Sequence, residues 1–151
     1  MTLSQGRLGW LGVGVESTPG SPVAITDYIP FTENTLKGMA PPLAADGAYQ
    51  NRNANFSSVD GQKWGEGSVK INLDTNKIGL FLYSAYGSLN TANVQSGVND
   101  HTFSPLNVNT PKTLTLVNDR VVDRQYFPGS VVDKLTIATK DGISEAAMDI
   151  K

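Results

Sequence analysis

The residues able to do chemistry are few, and their spacing does not suit it. One histidine, His101, and no cysteine occur in 151 residues. Most hydrolytic, redox and metal chemistry at neutral pH needs one or the other as base, nucleophile or ligand. Asp100 and Ser104 lie beside His101 in sequence. Three neighbours on an extended stretch do not converge as a nucleophile, base and orienting acid must, and no Gly-x-Ser-x-Gly elbow accompanies them. A histidine so placed is expected to face solvent or a neighbouring strand. Asp60, Glu66 and Asp74 lack the dense alternation of a calcium loop. Glu145 and Asp149, four residues apart on an extended chain, stand ~13 Å apart, too far for paired carboxylate work on a glycosidic bond. Gly12-Val13-Gly14 begins like a dinucleotide fingerprint, but the third glycine and the helix whose N-terminus would hold the phosphates do not follow. Lys134, Arg120 and Arg124 are not interleaved with aromatics as in a single-strand binder. Asn55-Phe56-Ser57 is a glycosylation sequon, a frequent chance match that matters only in a eukaryotic secretory setting. No catalytic residue, cofactor or metal is assigned on these grounds.

Composition points the same way. Charged residues make up 17% of the chain and the formal net charge is −2, so no bulk attraction to nucleic acid or anionic membrane is expected. Without cysteine there is no disulfide framework, although this does not fix the compartment. No apolar run approaches ~18 residues, and the first residues lack a charged region followed by an apolar stretch, so neither a membrane span nor a signal peptide is expected. Twelve aromatics (five Phe, five Tyr, two Trp) and 39% hydrophobic residues argue for a folded domain. One domain over residues 1–151 is of a size to bury roughly 70% of its unfolded surface.

The elements follow from periodicity. Leu11, Val13 and Val15 alternate with Gly12 and Gly14 and predict a strand over Trp10 to Glu16, its glycines permitting close backbone approach. Thr18-Pro19-Gly20-Ser21-Pro22 is a turn, and Tyr28-Ile29-Pro30-Phe31 begins a second extended piece. Residues 38–67 read as one long irregular loop, either a projecting arm that orders against a neighbour with Phe56 and Trp64 as its anchors or an ordinary flexible excursion. Val69, Ile71 and Leu73 form a half-buried strand. Asp74 or Thr75 then caps a helix carrying Ile78, Phe81, Leu82 and Ala85 at helical spacing, ended by Gly87. Tyr83 and Tyr86 remain on its outer side. A polar loop over Leu89 to Asn99 leads to a short strand at His101-Thr102-Phe103. Leu114 and Leu116 alternate with Thr113 and Thr115, Asn118-Asp119 turns the chain, and a strand covers Val121 to Phe127. Val131 to Thr139 and Ile143 to Ile150 are joined by the hairpin signal Asp141-Gly142. The expected fold is mainly β, an antiparallel sandwich or barrel with one flanking α-helix. Its open edges need covering, and copies of the same chain would cover them.

Three stretches in order along the chain resemble the tail tube (major tail) proteins of long non-contractile-tailed bacteriophages. The first is Gly12-Val13-Gly14-Val15-Glu16-Ser17-Thr18-Pro19-Gly20-Ser21-Pro22-Val23, running into Tyr28-Ile29-Pro30-Phe31. Pro19 stands where that family often has an aromatic. The second is the strand and helix from Gly67 to Gly87 with the following His101-Thr102-Phe103-Ser104-Pro105. The third is Tyr126-Phe127-Pro128-Gly129-Ser130 stepping into Val131 to Ile137, then the Asp141-Gly142 hairpin and a closing Glu/Ala/Asp strand.

The resemblance implies a structural virion protein made in the bacterial host cytoplasm. It would self-assemble into stacked rings whose hollow tube conducts DNA during ejection, in contact with other tail proteins and with no membrane. A second repeat or appended domain beyond residue 151 is compatible with it. One face of the strands at Val69 to Leu73, Val131 to Thr139 and Ile143 to Ile150 is then expected to pack on the helix. The opposite face would line the lumen through Lys70, Asn72, Lys134, Thr136, Glu145 and Asp149. Phe56, Trp64, Tyr83 and Tyr86 would meet neighbouring subunits. A mixed, slightly acidic lining lets duplex DNA slide as transient, non-specific cargo, because each phosphate neutralised by a lysine would add affinity. The competing reading is a carbohydrate- or receptor-binding sandwich of a tail tip or adhesin, with Trp10, Trp64 and Tyr83 stacking on sugar rings. A small hydrolase built on His101 is the least supported.

Overall fold

The computed structural model describes residues 8–46, 55–107 and 111–151. In chain order the first elements are β1 (Trp10–Val15), β2 (Asp27–Ile29), β3 (Glu33–Asn34), β4 (Lys37–Met39), β5 (Pro42–Asp46), β6 (Asn55–Asp60) and β7 (Trp64–Asn72). Then follow α1 (Ile78–Tyr86), β8 (Gly87–Gln95), β9 (Val98–Pro105), β10 (Leu114–Asp119), β11 (Arg124–Ser130), β12 (Val132–Lys140) and β13 (Ile143–Ile150). The first sheet has the order β11-β10-β1-β2, and the second has β12-β13-β7-β3 with β4 also on β7. All pairings are antiparallel. The sheets are open, so the fold is a sandwich and not a closed barrel. Among the described residues no helix is long and apolar enough to cross a membrane.

One core joins the two sheets. Leu11, Val13, Leu114, Leu116 and Phe127 from the first meet Val69, Ile71, Ala146, Met148 and Ile150 from the second, and Ile78 and Phe81 of α1 join the same cluster. The expectation that the second sheet packs on the helix is corrected here: its apolar face lies mainly against another sheet. A nine-residue helix covers too little area to bury a face built from three strands of up to nine residues. The helix instead joins the layers at one end. Ser84 Oγ donates to the Lys112 carbonyl at 2.7 Å and accepts the Val132 N–H at 3.3 Å. Ser84 is therefore buried where Ala85, expected on the core stripe, is exposed. The helix begins at Ile78 with Lys77 at its N-cap and no side-chain cap, so neither Asp74 nor Thr75 caps it as expected. Asp74 closes the turn before it, its carboxylate accepting the Asn76 N–H at 2.9 Å and its carbonyl the Ile78 N–H at 2.9 Å. It ends at Gly87 in the left-handed region (φ 84°), whose N–H donates to the Tyr83 carbonyl. Lys77, at the helix start, pairs with Asp27 of β2, and that ion pair holds the Asp27 carboxyl below its ordinary range.

β10 departs from the half-buried pattern expected of it. Leu114 to Asp119 are all buried, and Thr113 and Thr115 with them. The segment after the first turn lies across the outer face: the Val23 N–H donates to Thr115 Oγ1 at 3.1 Å. A Cβ added at Gly14 would sit 2.7 Å from the Ala24 carbonyl oxygen. The Gly12/Gly14 pair thus serves close approach of chain to chain in mid-strand. Between the layers, Asn118 donates to the Leu36 carbonyl and accepts from Asn34, both at 3.1 Å. A buried amide on β10 is in this way satisfied by the β3–β4 connection.

Glu16 sits at the end of β1, only 6% exposed. Its Oε2 accepts the Gly20 N–H at 2.8 Å, and its Oε1 accepts Thr115 Oγ1 at 2.7 Å and the Gly129 N–H at 2.9 Å. Gly20 follows Pro19 in a turn closed by Ser21 N–H to the Thr18 carbonyl, with φ 77°, the geometry of a type II turn. One carboxylate therefore joins the first turn, the middle of β10 and the Pro128-Gly129 step of β11. Burial pushes its pKa up, but the donated hydrogen bonds outweigh that and hold it below the ordinary 4.5.

Two expectations follow. A carboxyl titrating lower when folded stabilises fully above about pH 4.5, and that contribution fades as pH falls through the folded value. Glu16→Gln, which points an amide N–H₂ at backbone donors, should cost about 2 kcal/mol at pH 7. It should also reduce the loss of stability as pH falls below about 4.5, both read by urea unfolding. At Gly67 an added Cβ would lie 2.5 Å from Leu36 Cα, so Gly67→Ala should cost about 1–3 kcal/mol in the same measurement.

Candidate functional site

The six residues expected on one polar face do share it. Direct pairing places Lys134 opposite Asp149 and Asp149 opposite Ser68. The next row is Thr136, Ala147, Lys70 and Glu33, and the third is Ala138, Glu145 and Asn72. Opposed residues in an antiparallel ladder point the same way, so Lys70, Asn72, Lys134, Thr136, Glu145 and Asp149 form a single outward surface. The opposite rows are Leu135–Met148–Val69 and Ile137–Ala146–Ile71, and all of these but Ile137 belong to the core or pack against it. The charges on the outer face are mixed: Lys70 and Lys134 against Glu33, Glu145 and Asp149. Lys70 pairs with Glu33, whose carboxylate raises the lysine pKa.

β12 forms one margin of this sheet. It is nine residues long, with β13 on one side and no described strand on the other. Its only irregularity is a register shift between Val132 and Lys134, and Ile137 is 51% exposed. At the opposite margin β3 has two residues. The ladder continues past β13, where Val131 and Lys151 exchange backbone hydrogen bonds at 2.8 and 3.1 Å. Lys151 Nζ lies 2.8 Å from Asp133.

Two expected loops are strands. Residues 38–67 contain the end of β4, the β5–β6 hairpin and the start of β7, and Leu89 to Asn99 belongs to the β8–β9 hairpin. Each hairpin is a two-stranded ribbon outside both main sheets. Residues 89–102 of the second ribbon are all exposed. With water on both faces, nothing imposes alternation of apolar and polar residues, and the sequence shows no strand period. In place of one irregular loop, residues 38–67 include the β5–β6 ribbon, and a second ribbon, β8–β9, lies beside the helix. At the β10–β11 connection the turn falls at Arg120 to Asp123, later than Asn118-Asp119, because those two residues still pair with Gln125 and Arg124.

The expected contact aromatics differ in setting. Trp64 opens β7 and is 44% exposed; Tyr86 is comparably exposed at the helix end. Tyr83 is half-buried, with Lys112 Nζ 5.9 Å above its ring. Phe56 lies on β6, and its side chain falls outside the described residues. Of the aromatics considered for sugar stacking, Trp10 is already engaged. Tyr28 meets it edge-on at 4.7 Å and Arg124 covers it at 5.3 Å. Trp10, Trp64 and Tyr83 thus have three separate surroundings and form no common platform.

His101 is exposed on β9, and its Nδ1 lies 2.9 Å from Thr91 Oγ1 on the paired strand. It is both solvent-facing and strand-paired, as expected. Asp100 and Ser104, an odd number of residues away, point to the other side of the ribbon. Among the described residues no three carboxylate or imidazole groups gather as a metal site.

A cleft of about 460 Å³ between β4, the start of β7 and the second half of β11 escaped the sequence reading. Phe127, Tyr126, Trp64 and Met39 line it, with Lys63 and Lys151 beside them. Its one signal in sequence is Gly65, where a Cβ would lie 2.5 Å from the Phe127 ring. Such a pairing of distant residues shows only after folding. Neither the protein-family models nor the curated proteins contain a match to this chain.

Replacing His101 tests whether the imidazole has any structural weight. His101→Ala should shift the unfolding free energy by no more than about 0.5 kcal/mol, as for other exposed ribbon positions.

Proposed function

We propose that this chain is a structural subunit that assembles with copies of itself into stacked rings, the tail tube of a long-tailed bacteriophage and the conduit for its DNA. The observation that carries the reading is β12: a nine-residue margin strand with a half-exposed isoleucine and no described strand beyond it. Monomeric proteins blunt such margins with short strands, prolines, bulges or charges. Here the short strand is at the other margin, and on β12 the register shift and the charged Asp133, Lys134 and Lys140 lie toward its two ends, leaving Leu135 to Thr139 without proline, bulge or charge. Pairing of β12 with the β3 side of a neighbouring copy would continue the sheet from subunit to subunit.

Three further features agree with this reading. Continuation of the sheet would align the outer faces carrying Lys70, Asn72, Lys134, Thr136, Glu145 and Asp149 into one polar lining. Two lysines against three carboxylates leave that lining near neutral, which suits passage of a polyanion without retention. The β5–β6 and β8–β9 ribbons supply arms long enough to reach beyond the sandwich. Trp64, Tyr86 and the half-buried Tyr83 offer contact surface to neighbours, including other tail proteins. On this reading the protein needs no cofactor, does no catalysis, and ends in the virion after synthesis in the host cytoplasm.

The test is direct. Concentrated protein should show concentration-dependent light scattering, with rings or tubes in negative stain. Ile137→Lys, a charge on the open margin, should keep it monomeric while changing unfolding free energy by about 1 kcal/mol or less. A wild-type chain that stays monomeric up to ~1 mM, and shifts on a glycan array, would overturn the tube in favour of a carbohydrate-binding module.

A further inference from the structure

Three Asp-Gly steps occur in the chain, beginning at Asp46, Asp60 and Asp141. In such a step the side-chain carboxyl and the backbone nitrogen of the next residue can close a five-membered ring, and glycine puts no side chain in the way. Gly47 lies outside the described residues, so the structure sets the other two side by side. Ring closure needs a glycine N–H free of a hydrogen bond and space for the backbone to turn.

The Asp60 step has neither. The Gly61 N–H donates to the Pro41 carbonyl at 2.9 Å, and a Cβ added at Gly61 would lie 2.6 Å from that same oxygen. The Asp141 step has both. Asp141 and Gly142 are exposed, and they form the two-residue loop between the paired Lys140 and Ile143. Their φ values of 52° and 83° are those of a type I′ hairpin turn. In that turn the ladder bonds run between the flanking residues and leave the N–H of the second turn residue outside them. Among the described residues the Gly142 N–H has no hydrogen-bond partner, and nothing lies within 4 Å of a Cβ added there.

We infer that Asp141-Gly142 is a site of spontaneous backbone rearrangement in the folded protein, through a cyclic imide to isoaspartate. The Gly142 nitrogen gives up its proton and bonds to Asp141 Cγ. A hydroxyl leaves that carbon, and proton and hydroxyl depart as one water. Water then adds to either carbonyl of the imide and opens the ring. Opening at the side-chain carbonyl restores aspartate. Opening at the main-chain carbonyl leaves the peptide running through Cβ and Cγ, one carbon longer than before. Water is the only co-reactant. The added carbon falls inside the turn whose length sets the register of β12 on β13, so the Lys140–Ile143 end of that ladder loosens. The site belongs to the hairpin itself and is independent of the assembly reading.

Ageing the intact protein at neutral pH and physiological temperature tests this. Dilute native protein is compared with the same chain unfolded in guanidinium chloride. Electron-transfer fragmentation of their peptides separates isoaspartate from aspartate, with an unaged sample digested alongside. Relative to its own rate in the unfolded chain, the Asp60 step should be slowed about tenfold or more by folding, and the Asp141 step less than about threefold. Asp141→Asn, whose amide leaves as ammonia, should rearrange faster at the same position. Asp141→Glu, one carbon too long for the five-membered ring, should yield no isomer there. Amide exchange at Lys140 and Ile143 should quicken in aged wild type and stay unchanged in aged Asp141→Glu. Equal protection of the two steps by folding, or isoaspartate at Asp60 in preference to Asp141, would overturn the assignment. Rearranged wild type with unchanged exchange at Lys140 and Ile143 would overturn the loosening of the ladder.

Discussion

A buried carboxylate organises this sandwich. Glu16 ends β1 and accepts hydrogen bonds from Gly20, Thr115 and Gly129, three points that lie far apart in sequence. A charged group this deeply placed is stable only when its lone pairs are met by donors. Once met, it fixes those donors in turn. The Pro19-Gly20 turn directs the next segment back across the outer face of β1 and β10, where Gly12 and Gly14 leave room for it. The Pro128-Gly129 step brings β11 to the point from which the chain enters β12. Both main sheets thus depend on one side chain for the geometry of their connection.

The second constraint is the inequality of the sheet margins. β2 and β3, with three and two residues, end their sheets with little unpaired backbone. β12 exposes a full-length margin, and it belongs to the sheet whose outer face is mostly polar. A mainly β chain of this size can be stable alone through its single core and still leave hydrogen-bonding capacity directed outward. The β8–β9 ribbon adds to that asymmetry, since its residues 89–102 are exposed and outside the core. These features give the assembly reading its physical basis.

Legibility in the sequence followed burial. β7, β12 and β13 each show period two because one face meets a core and the other water. That alternation was enough to collect Lys70, Asn72, Lys134, Thr136, Glu145 and Asp149 as candidates for one surface. The helix was legible from Ile78, Phe81 and Gly87, although Ser84 replaced Ala85 on its buried side through hydrogen bonds that no hydrophobic pattern encodes. The β8–β9 ribbon reads as a loop because strands wetted on both faces have no period to show. β10 misled in the opposite direction. Its threonines looked exposed, and are buried because a distant segment covers them.

The sequence by itself determined the fold class, the helix, the main strands, and the sidedness of the polar face, since each rests on local periodicity or on glycine and proline at turns. Only the tertiary structure decided which margin stays open, which donors satisfy Glu16, and that Trp64, Tyr126 and Phe127 enclose a cleft. Those are relations between residues tens of positions apart. They are set by sheet order and register, which a linear pattern of apolar and polar residues leaves undetermined.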